Sequence, residues 1–477
     1  MKRMRAFLAL VAVCLTGLAS AGAQAPTVRV ATYNTSLNRY AAGQLVSDLS
    51  STTNSQARSI AQVIQHQRPD IVLLNEFDYD AAHQAATLFQ GNYLGVQQGS
   101  GTAGDPYTNP ISYPYVYVAP SNTGELPAAT VDFNNDGWTD QRPDDAYGYG
   151  QHEGQYGMVL YSKYPILTNE VRTFREFLWK DMPGNLLPTG WYDSTEQSVF
   201  RLSSKSHWDV PVDVAGRTVH LLASHPTPPV FDGPEDRNGR RNHDEIRFWA
   251  DYVSADPADS AYIYDDDGAY GGLDPAERFV ILGDQNADTD EGDAYPGAID
   301  PLLDHPRVLY DRANPPAAPD GDTDTATFGL QADYVLPSSH KGMQTLDQGV
   351  FWPTYPDPLY GDVSATDHRM VWLDLLIPQD GDLDADGSVG IGDLGRLSGH
   401  YDTASGAEWS TGDIDGDGDV DEQDFLLLKA RYGHLEAFPA AGRTGDHSAA
   451  IPEPASAGLL VLAAATVARR RDPRPEA

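Results

Sequence analysis

The chain has 477 residues, enough for more than one domain, and carries 32 Lys and Arg against 69 Asp and Glu, a formal net charge of −37. That balance disfavours a protein that holds nucleic acid by neutralising phosphates over a broad surface. The single cysteine, Cys14, lies in an N-terminal apolar run, which leaves a processed chain to rely on its core and on bound metal rather than on disulfides.

Met1 to Ala25 reads as a signal peptide. Lys2, Arg3 and Arg5 precede the apolar run Ala6 to Leu18, and Ala21-Gly22-Ala23 is a small-x-small cleavage site. A strand is predicted over Val28 to Tyr33, ending at Asn34. A helix from Asn54 to His66 places Ala57, Ile60, Ala61 and Ile64 on one face and is stopped by Pro69. Ile71 to Leu74 reads as a buried strand ending in Asn75-Glu76, so Asn34 and Glu76 form a polar pair at one sheet edge. Residues 95–150 are rich in Gly, Pro and Tyr and read as an insertion. Within it, Asp132, Asn134, Asp136, Gly137 and Asp140 are spaced either as a calcium loop or as a plain acidic turn, with Pro143 where such a loop has its closing acid.

Further strands are predicted at Tyr156 to Ser162 and at Thr218 to Ser224, which delivers His225. An arginine-rich loop follows, then a helix from Asp244 to Ser254 with Ile246, Trp249, Tyr252 and Val253 on one face. Arginine presents a fork of donors that matches phosphate oxygens, which makes Arg240 and Arg241 candidates for a substrate contact. The interleaved Glu235, Asp236, Asp244 and Glu245 offer the alternative that these arginines are paired structurally. In Phe279 to Asp288 (FVILGDQNAD) four apolar residues form a strand, a glycine turns the backbone, and Asp284 and Asn286 follow. A carboxylate beside an amide at a strand's carboxyl end can orient a water or a hydrated metal. A short helix at Ala298 to Leu303, a strand Ala332 to Leu336 containing Asp333, the triplet Thr366-Asp367-His368 and a last strand Arg369 to Ile377 complete the pattern. Strands alternating with helices predict an α/β sandwich over residues 26–378.

Beyond Pro378 the composition changes. Asp382, Asp384, Asp386, Gly387 and Asp393 form one set, and Asp413, Asp415, Asp417, Gly418, Asp421 and Asp424 a second. Both have calcium-loop spacing, and apolar helices follow. Fourteen acidic residues stand against three basic ones over 380–431, so the paired module at 379–432 is expected to need Ca²⁺ to fold. An Asp at position twelve resembles dockerin repeats, which implies a cell-surface or protein partner. Residues 433–450 read as a linker. In residues 451–477, Pro452-Glu453-Pro454, the apolar Ala455 to Ala468 and Arg469-Arg470-Arg471 resemble a PEP-CTERM tail read by sorting machinery; a permanent tail anchor is the competing reading.

The ordered motifs TYN (Thr32–Asn34), PDIVLLNE (Pro69–Glu76), YGMVLYSKYPI (from Tyr156), ASHP (Ala223–Pro226), GDQN (Gly283–Asn286), ADYVL (Ala332–Leu336) and TDH (Thr366–His368) resemble those of the endonuclease/exonuclease/phosphatase superfamily. The resemblance implies a four-layer sandwich of two mixed β-sheets flanked by helices, here followed by a small helical calcium-loop module. It also implies a divalent metal, Mg²⁺ or Mn²⁺, at Asn34, Glu76 and Asp367, and a water oriented by Asp284 and Asn286. His225 and His368 would act as the histidine pair, with Asp333 holding His368. Glu153 and Gln155 are candidates for the partner of His225. The expected function is an exported phosphoesterase with a monomeric catalytic domain. Nucleic acid, phospholipid and small phosphoesters all remain open as substrates. An alternative of another class is a calcium-binding surface adhesion protein with an inactive enzyme domain.

Overall fold

The computed structural model describes residues 25–98, 109–357 and 359–433, which divide into two compact units: one is Thr27–Leu376, and the other holds the described residues from Ile377 onward. The leader, residues 99–108 of the insertion, and the linker and tail beyond residue 433 lie outside the described residues.

The larger unit opens with β1 (Thr27–Asn34), α1 (Gln44–Leu49), α2 (Ser55–Gln67) and β2 (Ile71–Asn75). The α2 helix starts where expected because the Asn54 side chain accepts a hydrogen bond from Ala57 N. Next come α3 (Gln84–Phe89), β3 (Tyr115–Tyr117), β4 (Met158–Ser162), β5 (Arg172–Thr173), α4 (Ser194–Val199), β6 (His207–Asp213) and β7 (Thr218–Ser224). The chain continues through α5 (Arg237–Tyr252), α6 (Pro257–Ser260), β8 (Arg278–Asp284), α7 (Asp300–Leu303), β9 (Asp333–Pro337), β10 (Gln344–Phe351) and β11 (Met370–Leu376). The short strands β3 and β5, together with β6 and β10, have no clear expectation in the sequence. In β6, His207, Asp209 and Pro211 interrupt the apolar pattern, yet His207 and Asp209 are buried and hydrogen-bonded.

One sheet has the order β10-β11-β1-β2-β4-β3 and the other β5-β6-β7-β8-β9. Both are mixed: β1 runs parallel to β2 but antiparallel to β11, and β7 runs parallel to β8, which is antiparallel to β9. Alternation along the strands assigns the faces. Ala31, Tyr33, Val72 and Leu74 join a cluster with α1, α2 and α3, and Leu222, Ile281, Tyr334 and Leu336 join another with α5 and α7. The intervening Val30, Leu73, Leu221, Val280 and Leu282 are also buried, and β1 packs against β8 and β9. The result is four layers: helices, sheet, sheet, helices.

The stretch read as an insertion is built into this unit. Tyr115–Tyr117 forms the edge strand on β4, and Val131 and Phe133 lie in the same apolar cluster as α5. The arginine-rich stretch is likewise not a loop: α5 already begins at Arg237.

The smaller unit contains α8 (Ile391–His400) and α9 (Glu422–Arg431) around Leu383, Val389, Leu397, Ile414, Val420 and Leu428. Among the described residues no helix is long and apolar enough to cross a membrane.

Gly283 has a φ of +146°, and a Cβ there would lie 2.0 Å from the Ser224 carbonyl oxygen on the neighbouring strand. Gly283→Ala is expected to lower the unfolding free energy in urea by about 2–4 kcal/mol, combining overpacking with backbone strain.

Candidate active site

The topology carries the polar strand ends to one rim. Asn34 ends β1, Glu76 follows β2, His225 follows β7 and Asp284 ends β8. Because β9 and β11 run antiparallel to their neighbours, their beginnings reach the same rim, and Asp333 pairs directly with Asp284 in register. His368 stands just before β11.

Side-chain hydrogen bonds tie the two sheets together there. Asn34 Nδ2 donates to Glu76 Oε1 at 3.1 Å and to Asp284 Oδ2 at 3.0 Å. Asn38, which the sequence did not single out, donates to the other Glu76 oxygen at 2.8 Å. Ser36 links Asn34 to Asp367: its N–H donates to Asn34 Oδ1 and its hydroxyl to Asp367 Oδ1. Burial pushes the Glu76 carboxyl above its ordinary pKa, against the hydrogen bond from Asn34.

Asp284 is the centre of the second group. Its Oδ2 lies 3.4 Å from His225 Nε2 and 3.6 Å from His368 Nε2, and its Oδ1 accepts the Asn286 N–H at 2.9 Å. Burial raises the pKa of Asp284, and its attraction to charged His368 only partly opposes that. The two histidines are held in different states. Burial disfavours a charged His368, but the Asp333 and Asp284 carboxylates outweigh it and lift its pKa to about 10. Its Nδ1 is 2.7 Å from Asp333 Oδ2, which also accepts the Thr325 hydroxyl at 2.8 Å. This pairing fixes Nδ1 as the protonated nitrogen facing Asp333 and leaves Nε2 toward Asp284. His225 has no such support. Burial, Lys205 and His368 hold its pKa well below the usual imidazole value, and among the described residues its Nδ1 has no hydrogen-bond partner.

Neither expected partner of His225 reaches it. Glu153 pairs with Arg142, and Gln155 bonds Gln151 N and Arg39 O. Arg241 is corrected as well. It is 6 % exposed, and its guanidinium donates to the carbonyls of Leu202, Tyr147 and Arg201, so its fork is used inside the fold. Arg240 donates Nε to Glu235 O and lies over the Tyr295 ring, so part of its fork is engaged there. A helix that starts at Arg237 turns these side chains onto its own neighbours, which a loop reading could not foresee.

Sequence reasoning also missed Lys205. It is buried, its Nζ donates to Pro226 O at 3.1 Å, and burial pushes its pKa down to about 8 despite the nearby carboxylates of Glu245, Asp284 and Glu76. The signal was a lone lysine in the polar run before β6, and nothing in the pattern placed that run beside His225.

The acidic loops differ from one another. Oxygens of Asp382, Asp384 and Asp393 converge within 4.8 Å, as do those of Asp413, Asp415 and Asp424, and those of Asp419, Asp421 and Asp424. Asp386 and Asp417 sit in the same loops, where each accepts a backbone N–H two residues on. Among the described residues, Asp132, Asp136 and Asp140 are not in the converging groups of acids and histidines. Asp132 accepts the N–H groups of Asp136 and Gly137, Asn134 donates to Asp136, and Asp140 accepts Val131 N.

Comparison with known proteins decides the family. The model described as Endonuclease/Exonuclease/phosphatase family matches residues 31–368, most of the chain. The chain belongs to the endonuclease/exonuclease/phosphatase family. A model described as Dockerin type I domain matches residues 380–431. This family member resembles an endonuclease/exonuclease/phosphatase from Beutenbergia cavernae (17% identity, 74% of this chain and 72% of that one, TM-score 0.40). It also resembles sphingomyelinase C from Streptomyces griseocarneus (17%, 73% and 99%, TM-score 0.37) and a mannosyl-6-phosphatase from Bacteroides thetaiotaomicron (12%, 73% and 100%, TM-score 0.38). A search of curated proteins finds no match.

Arg241→Ala leaves three carbonyls, two in buried contacts and one part-buried, without their donor and is expected to lower stability in urea by about 3 kcal/mol or more. Arg240→Ala should change the urea midpoint little and leave hydrolysis of a phosphoester reporter within about twofold of wild type, since surface ring and carbonyl contacts of this kind are worth under about 1 kcal/mol.

Proposed function

We propose that this family member is an exported, divalent-metal-dependent phosphoesterase, and that water attacks a phosphomonoester or phosphodiester at the rim formed by Asn34, Glu76, Asp284, His225 and His368. The observation that carries the reading is the meeting of two imidazole Nε2 atoms, in opposite charge states, on one carboxylate oxygen of Asp284. Surroundings that push two like groups apart give them different roles, so that of the two imidazoles His368 is the one with a proton to give.

The cation that the family implies suits the donors present. Asn34, Glu76 and Asp367 offer hard oxygen ligands within one hydrogen-bonded network. When bound, Mg²⁺ or Mn²⁺ would polarise the phosphoryl oxygen and offset developing charge. The chain's own groups do the rest. Asp284, acceptor-only when ionised, and the Asn286 amide orient the attacking water, and Asp284 receives its proton. Charged His368, fixed by Asp333, donates a proton from Nε2 to the leaving oxygen as the ester P–O bond breaks. Neutral His225 offers a hydrogen bond to the phosphoryl group.

We further propose that the two C-terminal loops bind Ca²⁺ through Asp382, Asp384, Asp386 and Asp393 and through Asp413, Asp415, Asp417, Asp421 and Asp424, and that the dockerin domain engages a protein partner outside the cell.

Screening the protein against DNA, RNA, phospholipids and sugar phosphates tests the reading and names the substrate. Glu76→Ala should reduce turnover at least about 100-fold while the fold is kept, and excess EDTA should abolish it. Full turnover in EDTA would sink the metal mechanism. Circular dichroism of residues 379–432 should gain helix on calcium titration, because ligation removes the repulsion among the aspartates; a flat titration would count against calcium-linked folding.

A further inference from the structure

Lys205 is a buried ammonium with unspent donors at the catalytic rim. It is 6 % exposed, and among the described residues Pro226 O is its hydrogen-bond partner, at 3.1 Å. An ammonium has three N–H donors, and burying one costs several kcal/mol unless its charge and donors are used. The same Pro226 oxygen accepts Asn286 Nδ2 at 3.2 Å. Lys205 Nζ and the water-orienting amide therefore stand within two hydrogen-bond lengths of each other, one residue on from His225.

A purely structural role would be to fasten the loop after β7. Glu245 already does this without Lys205. Fully buried in α5, it accepts the N–H of Ser204, next to Lys205, and both the N–H and the hydroxyl of Thr227, two residues past His225. The two loops are held by that carboxylate, whose charge also faces the ammonium, while among the described residues only one of the three ammonium donors is spent, on Pro226 O. The rim also needs positive charge. Glu76, Asp284, Asp333 and Asp367 gather there in a chain of net charge −37, and each repels an incoming phosphate.

We propose that the Lys205 ammonium contacts a non-bridging oxygen of the scissile phosphoryl group, making it a catalytic residue that stabilises the charge gathering on that oxygen as water attacks. The assignment rests on the phosphoesterase reading.

The test uses the full chain with Mg²⁺ and three variants. Lys205→Met removes the charge and keeps the length. Lys205→Gln removes the charge but keeps a donor for Pro226 O, so it stays folded if that contact matters to the fold. Lys205→Arg keeps the charge. Binding of inorganic phosphate is measured by calorimetry, and kcat and KM on nitrophenyl phosphate mono- and diesters, with urea midpoints as the control. The expected result is about tenfold weaker phosphate binding in the Met and Gln variants, kcat/KM lower by about 100-fold, as for loss of one charge-stabilising donor, and partial recovery in Arg. Wild-type phosphate affinity in a folded Gln or Met variant overturns the assignment, as does a wild-type protein that binds no phosphate. Wild-type protein that binds phosphate through Lys205 but hydrolyses no ester supports the phosphate contact and overturns the phosphoesterase reading instead.

Discussion

The side-chain amide of Asn34 is the contact on which the site depends. It comes from β1 in one sheet and bonds Asp284 from β8 in the other, while its second N–H holds Glu76. Sheets that meet through apolar side chains can slide at little cost, because dispersion and burial are non-directional. A directional hydrogen bond at the rim removes that freedom. Asn75 adds to it from inside: fully buried, it accepts the Thr32 hydroxyl and the Asp284 N–H and donates to Ser224 O. The metal-ligand candidates belong to one sheet and Asp284 and Asn286, the pair proposed to orient water, to the other, so both groups hold a common geometry only while these amides hold.

Electrostatics at the rim follow from how unevenly the buried charges are compensated. His368 sits between two carboxylates and stays charged; His225 faces Lys205 and His368 and stays neutral. The difference lies in neighbours, since both imidazoles are buried. Placing so many carboxylates together costs more than the surface ion pairs elsewhere can return, as exposed pairs are worth well under about 1 kcal/mol each.

The two C-terminal loops repeat one wiring. Asp393 Oδ1 accepts Leu383 N and Asp424 Oδ1 accepts Ile414 N, each closing its loop on the second residue. Asp382 and Asp413 each cap the glycine five residues on. Each closing acid also points its oxygens at the cluster that can hold an ion. The loop at 132–140 shares the capping of Gly137 by Asp132, yet Asp140 turns to Val131 N, and the backbone contacts that a closing acid would make fall to Asp145, beyond the expected position. Similar spacing thus leads to different convergence.

The local elements of the larger unit were legible in the sequence wherever apolar runs were long and ended in a recognisable cap or turn: β1, α2, β2, β7, β8 and β11 lie within a residue or two of expectation. Periodicity and capping are properties of neighbouring residues, so a sequence carries them directly. The ordered motifs likewise pointed to the family that the comparison found, and to the strand ends now seen on one rim. What the sequence could not decide depends on partners distant in the chain. Arg241 resembled a phosphate fork until three carbonyls from other segments took its donors. Lys205 drew no reading at all, because the Pro226 carbonyl that it shares with Asn286 is distant in the chain. His207 and Asp209 masked a buried strand because the groups that satisfy them, Ser203 and Tyr252 among others, meet them only in the folded chain. A polar side chain's role is set by which donors and acceptors remain unspent after packing, and only the tertiary structure performs that count.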